Sequence, residues 1–209
     1  MSRAGRTRHR FAGHIAGVGS TSGVRVVVGH WPVSPLGAFT DVMVAEADGT
    51  RVLLAPDARV ADFVARTYDF DRVVVGPVTA QVDDRGWHVE GPELSLRLDV
   101  GRRTALGRLL RLVPRRLATA PGWSALTDPV ARVVLRGVRT RGSAGNGRRE
   151  FYGATDLHAV VGLDGSWRGT ALGGLAPVAP EPGFGFGSTP ERPSVTAVTT
   201  TVEVPDSAP

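Results

Sequence analysis

Four side chains on one short stretch have the types that acid–base or ligand chemistry needs. From Arg149 the sequence runs Arg-Glu-Phe-Tyr-Gly-Ala-Thr-Asp-Leu-His, and a strand is expected over residues 149–162. Residues two apart on a strand share a face. An unbroken strand therefore gathers Glu150, Tyr152, Asp156 and His158 on one side, with Phe151, Gly153, Thr155 and Leu157 behind them. An Asp and a His two apart can orient an imidazole for proton transfer, or offer two metal ligands. Arg149 adds a permanent positive charge at the head of the strand. These five residues are the candidate small-molecule site, for an apolar or anionic ligand. The same alternation is typical of any half-solvated sheet. It becomes a cavity lining only if the sheet closes around it.

The second candidate is electrostatic. Residues 100–149 hold twelve arginines against one acid, Asp128, whereas residues 150–209 hold two arginines and seven acids. Arg108, Arg111 and Arg115 fall along one expected helix, and Arg132 and Arg136 along another. Such stripes can attract nucleic acid or an anionic membrane surface. Only Trp123 lies inside the block, so the aromatic platforms usual in single-strand binding are missing. The block can equally pair with the acidic C-terminal third. A protein-interaction module is a third option, for which no residue speaks directly.

Composition removes several chemistries. The chain of 209 residues has no cysteine, and all 25 of its basic side chains are arginine. That excludes disulfides, cysteine-bound metals, pyridoxal phosphate held by a lysine, and a P-loop lysine. Which cofactor, if any, the chain uses stays unknown. His14, His30, His88 and His158 show no metal-ligand spacing, so no metal site is expected. Gly17-Val18-Gly19-Ser20-Thr21-Ser22-Gly23 brushes against a dinucleotide fingerprint, but a valine strand follows it where a helix is required. No apolar run reaches membrane-spanning length, and the arginine-rich start lacks a signal-peptide core. A soluble, cytoplasmic protein is the expectation.

His30 shares its expected face with Val24, Val26 and Val28, which favours a structural, hydrogen-bonded imidazole. His30-Trp31-Pro32-Val33 is similar, over those four residues, to a string near the start of some acetoacetate-decarboxylase-like β-proteins. No residue here can stand for that family's Schiff-base lysine, and no family is assigned on four residues.

The elements that must position these groups are mostly β. Strands are expected at Val24–Trp31, Phe39–Ala47 and Arg51–Ala55, the last two joined at Asp48-Gly49. Others are expected at Arg72–Val82, Trp87–Glu90, Glu93–Val100, Arg149–Gly162 with a turn at Asp164-Gly165, and Pro193–Val204. A short helix fits Asp57–Tyr68. Two more, Thr104–Leu117 and one starting at Asp128-Pro129, form an inserted helical hairpin. Residues 1–9 are expected as a disordered basic arm, 10–204 as one domain with its basic insertion at about 101–148, the loop at 140–148 being flexible, and 205–209 as a tail. The fold class is α+β, mostly antiparallel β: a curved sheet or partly closed β-barrel with one short crossing helix and the inserted hairpin.

Overall fold

The structure is a computed structural model that describes residues 5–83, 85–114, 141–143, 145–185 and 189–206. Strand accounts for 57% of the described residues, which also hold two α-helices, and the curled sheet forms an open half-barrel. The expected α+β, β-dominated class is the observed one.

The first strands are β1 (Arg6–Ser20), β2 (Arg25–Val33), β3 (Phe39–Ala45) and β4 (Arg51–Ala55), followed by helix α1 (Ala58–Ala65). Then come β5 (Arg72–Val75), β6 (Thr79–Val82), β7 (Gly86–Gly91), β8 (Leu94–Arg103) and helix α2 (Ala105–Leu112). The remainder is β9 (Arg141–Ser143), a 3-10 turn at Gly145–Gly147, the long β10 (Arg149–Trp167), β11 (Thr170–Ala171), β12 (Leu175–Ala176) and β13 (Ser194–Pro205). Ten of these strands lie in the order β5-β4-β3-β2-β1-β13-β10-β8-β7-β6, and β9, β11 and β12 pair at the side of this path.

Chain connectivity explains the curl. β5 and β6 are the two ends of that order, yet only residues 76–78 separate them. Four backbone steps span at most about 14 Å, so the far edges of the sheet have to approach one another. The enclosed inner face is filled by Val18, Val26, Val28, Val42, Val44, Val52 and Leu54 from one wing, against Val89, Leu96 and Leu98 from the other. The outer face is covered too. α1 lays Val60 and Val64 over Leu53 and Ala55, and Phe11, Trp31, Tyr152, Val198 and Val202 make a neighbouring cluster. A strand buried on both sides needs apolar residues on both parities, which is why Val26, Val27 and Val28 run consecutively.

Local signals mostly hold. Gly49 has φ of 93° in the Asp48-Gly49 turn, and Asp57 caps α1 by accepting from the Val60 amide at 2.8 Å. α1 serves as the crossover between β4 and β5, the parallel pair in a sheet otherwise antiparallel among the described strands.

Several expectations need correction. Residues 6–9, assigned to a disordered arm, are paired strand: Arg6 to His9 lie opposite Pro205 to Val202 on β13. The single strand expected at 72–82 is two strands on opposite edges, broken at Gly76-Pro77 because proline cannot donate to a ladder. β10 runs on past Asp164-Gly165 to Trp167, and the chain turns instead at Arg168 and Gly169, both with positive φ. Within the loop expected at 140–148, Arg141–Ser143 form β9, paired to Arg149–Phe151, and Asn146 and Gly147 lie in the left-handed region. α2 starts where the helix was expected to, with Thr104 as its cap, but stops at Leu112, not Leu117. Val113, preceding Pro114, is extended with ψ of 124°, as crowding by a following proline ring demands. The second helix of the expected hairpin lies outside the described residues. Among those residues no helix is long and apolar enough to cross a membrane.

Candidate functional site

A cavity opens on the outer face of the half-barrel, between β1–β3, α1 and the start of β10. It offers about 80 Å³ to water centres, against roughly 10–15 Å³ for one water. That is room for several waters, or for one small ring-bearing molecule in their place. Among the described residues seven aromatic side chains line it: Phe11, Trp31, Phe39, Phe63, Tyr68, Tyr152 and Phe184. They are more than half of the 13 aromatics in the chain and include both tyrosines, so the aromatic payload is concentrated here. Residues 181–184 close one side, tied down by the Asp69 amide donating to Phe184 O at 2.9 Å and by Arg51 Nη1 donating to Gly183 O at 3.2 Å.

Among the described residues the polar side chains of this cavity are carboxyls and hydroxyls, with the Trp31 indole N–H. Glu150, 1% exposed, meets Tyr68 and Tyr152 in a closed ring of contacts. Tyr68 OH lies 2.9 Å from Glu150 Oε1, Tyr152 OH lies 3.1 Å from Oε2, and the two hydroxyls are 2.6 Å apart. Three such contacts require three hydrogens, and two hydroxyls supply only two. The ring is complete when Glu150 carries a proton. Burial acts in the same direction: it pushes the Glu150 carboxyl up to about 7, against the pull of the two tyrosines and the charge of Arg148. Tyr68 is raised well above its ordinary value by burial and by the neighbouring Glu150 and Tyr152.

Asp41 is the second acid. It is 2% exposed, and burial raises its carboxyl to about 7 despite the Trp31 hydrogen bond. Trp31 Nε1 donates to Asp41 Oδ1 at 2.9 Å. Gly29 makes that approach feasible, since a Cβ there would lie 2.5 Å from both atoms. Thr200 Oγ1, on β13, is buried in the lining without a partner among the described residues. Arg148 is buried nearby but occupied. Its Nη1 donates to Phe63 O at 2.8 Å and Thr67 Oγ1 at 2.6 Å, and the guanidinium lies 4.7 Å from the Phe63 ring centre. It holds the end of α1 against the sheet. A carboxyl that titrates near neutrality inside an apolar cavity can accept or give a proton, or hold a hydrogen-bond donor.

The five candidate residues of β10 do not stay together. Ala154 pairs with Val198 and Asp156 with Ala197, so Thr155 is the extra residue of a β-bulge. The bulge reverses the parity of the strand. Glu150 and Tyr152 face the cavity, whereas Asp156 and His158 share the inner face with Ala197 and Val195, their partners on β13. The single polar face expected over 150–158 is thus two half-faces on opposite sides of the sheet. Arg149 is exposed and alternates away from Glu150, outside the cavity.

On the inner face Asp156 joins a different set. Arg103 Nε donates to Asp156 Oδ1 at 2.8 Å and lies 3.0 Å from Oδ2. His158 Nε2 is 3.7 Å from Oδ2. Burial pushes the Asp156 carboxyl up, but the Arg103 hydrogen bond, the Leu157 amide and the charges of Arg103 and His158 outweigh it, and the net direction is down. His14 and His30 lie alongside, edge-on to Trp87 with ring centres 6.3 and 5.9 Å away. Both are lowered by burial, His14 also by the charge of His30. His30 Nδ1 is 3.0 Å from Thr40 Oγ1, the hydrogen-bonded imidazole its apolar face implied. Among the described residues no group of three or more His, Asp or Glu side chains is arranged to hold a metal.

Of the arginine candidates, Arg108 and Arg111 are exposed on α2. Arg115, Arg132 and Arg136 lie outside the described residues. On α2 Leu109 is 61% exposed and Leu112 is 79% exposed. The side of α2 that meets β10 is buried only at Gly107, where a Cβ would clash with the Leu157 backbone at 2.3 Å.

Sequence reasoning missed Asp41, Tyr68, Trp31 and Thr200. Asp41 did carry a signal, as the one charge inside the apolar run Phe-Thr-Asp-Val-Met-Val-Ala. Tyr68 and Thr200 gave none, because only the docking of α1 and the β10–β13 register bring them to Glu150.

No family model matches the sequence, and no curated protein matches it. Among solved structures the chain is similar to acetoacetate decarboxylase from Legionella pneumophila subsp. pneumophila str. Philadelphia 1, at 10% sequence identity and a TM-score of 0.44, over 98% of this chain and 88% of that one.

Proposed function

We propose that this protein binds a small, mainly apolar molecule in the cavity beneath α1, with Glu150 and Asp41 as its polar anchors. The observation that carries this reading is the Glu150–Tyr68–Tyr152 ring. A buried acid is costly unless it is neutralised or paired, and here it faces open volume lined with aromatic rings. Apolar lining with a few converging polar groups is the usual make-up of a ligand site. Among the described residues the lining contains no arginine or histidine, which favours the apolar half of the ligand expectation over the anionic half.

The test uses indole as a neutral probe of the full chain, followed by saturation-transfer NMR. Wild-type protein is expected to bind it, and Val27→Phe, which projects a ring into the cavity, to bind it at least tenfold more weakly. Equal binding by both, or none by the wild type, rejects the reading.

A second reading rests on α2, where Arg108 and Arg111 flank the exposed Leu109 and Leu112. Apolar and cationic groups on one exposed helix suit an anionic membrane surface better than a nucleic acid. It predicts binding to phosphatidylserine vesicles that Arg108→Glu with Arg111→Glu abolishes and that added salt weakens. Binding unaffected by either sinks it.

A further inference from the structure

The chemistry of the cavity narrows the kind of molecule it suits. Among the described residues its ionisable lining groups are the acids Glu150, Asp41 and Glu181 and the two tyrosines, with no basic side chain. Arg148, a buried arginine close by, is committed to Phe63 O and Thr67 Oγ1. A carboxylate or phosphate ligand would therefore meet like charge with nothing to neutralise it. Aromatic faces carry negative potential and attract cations, more strongly where water is excluded. Thr200, 4% exposed, adds an oxygen that has no partner among the described residues and lines the same space.

We infer that the ligand of this cavity is a small organic amine bound as its ammonium ion, its N–H groups directed to the carboxylates of Glu150 and Asp41 and the Thr200 hydroxyl, its apolar part against the aromatic rings. This inference rests on the reading of the cavity as a ligand site. It also has a protonic consequence. Below about pH 7 the Glu150–Tyr68–Tyr152 ring holds a proton when the cavity is empty, against the opposing charge of Arg148, and Asp41 is likewise held near 7 by burial. Seating a cation moves the Glu150 proton to solvent, and both tyrosines can then donate to the carboxylate. Amine binding is therefore coupled to proton release.

Three probes of one shape separate the possibilities: benzylamine, benzyl alcohol and benzoate, each titrated calorimetrically into the full chain. At pH 8 benzylamine is expected to bind at least tenfold more tightly than benzyl alcohol, with benzoate not binding. Below pH 7 the affinity for benzylamine should fall by at least about tenfold per pH unit, the dependence of one displaced proton, steepening towards about a hundredfold where Glu150 and Asp41 both give one up, while that for benzyl alcohol stays level. Glu150→Gln should erase the preference for the amine and keep alcohol binding, which also shows that the variant is folded. Should that variant fail to fold, Asp41→Asn and the wild-type pH profile decide the matter alone. Alcohol bound as tightly as amine at every pH overturns the inference and leaves the cavity reading standing. No binding of either overturns both.

Discussion

Glu150 and Asp156 stand six residues apart on one strand, and the fold treats them in opposite ways. Glu150, sealed among aromatic rings with two tyrosine hydroxyls, has its carboxyl pushed up to about 7 by burial. Asp156, partly exposed and gripped by Arg103, is held below the ordinary carboxylate range although burial acts against it. The difference comes from Thr155, the bulge residue that sends the two acids to opposite faces. One inserted residue is enough, because the side-chain period of a strand is two.

Deleting Thr155 is the most direct way to break this contrast, and it should have the largest effect. Removing it re-phases one end of β10 against β13, driving either Asp156 and His158 or Glu150 and Tyr152 onto the wrong face. A loss above about 4 kcal/mol is expected in urea titration, as for other multiple burials of unpaired charge. A loss below 1 kcal/mol would mean that the bulge does not set the two environments.

The pH dependence of stability comes next. Glu150 and Asp41 have raised native pKa values, so between about 4 and 7 the folded protein holds protons that the unfolded chain has released. Stability is full below that window and declines as pH rises through it. A shift from 4.5 to about 7 corresponds to roughly 3 kcal/mol for Glu150. Unfolding free energies at pH 5, 6, 7 and 8 should show the decline, and Glu150→Gln should flatten about half of it. A wild-type curve that rises over this window would contradict the assignment.

Gly29→Ala probes the other acid of the cavity. The new Cβ presses on Asp41 Oδ1 and Trp31 Nε1, with an expected cost of about 1–3 kcal/mol, typical of overpacking. A red shift of Trp31 emission should accompany it. Unchanged emission and stability would mean that the Trp31–Asp41 contact relaxes freely.

The smallest effect belongs to Asp156→Asn, about 1 kcal/mol, because the pair with Arg103 is partly solvated. Its sign is opposite to that of Glu150. Asp156 contributes stability above the usual aspartate range and loses it as pH falls, so the variant should narrow its deficit on going from pH 7 to pH 3. A deficit that widens on acidification would place Asp156 with Glu150, and the contrast would dissolve.

Much of the scaffold was legible from local chemistry. The Asp48-Gly49 turn, the strand over Glu93–Val100 and the starts of the helices expected from Asp57 and Thr104 all depend on a few residues, and each appears in the structure close to where expected. The site was half legible. Glu150 and Tyr152 are visible as polar residues on a strand, but the inclusion of Asp156 and His158 with them assumed an unbroken period. Thr155 looks like any strand threonine, and a bulge shows only in its pairing with β13, whose own register is set by 12 pairs with β1.

What the residues determined alone is the inventory: no thiol, no amine side chain, a chain dominated by strands, an acid at 150 and a tyrosine at 152, and arginines crowded into residues 100–149. Composition and near-neighbour sterics suffice for these. The tertiary structure alone decided that Glu150 meets Tyr68 across 82 positions, that Asp41 shares its cavity, and that Asp156 turns away. Those outcomes depend on strand register and on the docking of α1, and both are set by summed burial over the whole sheet, which no short stretch of sequence contains.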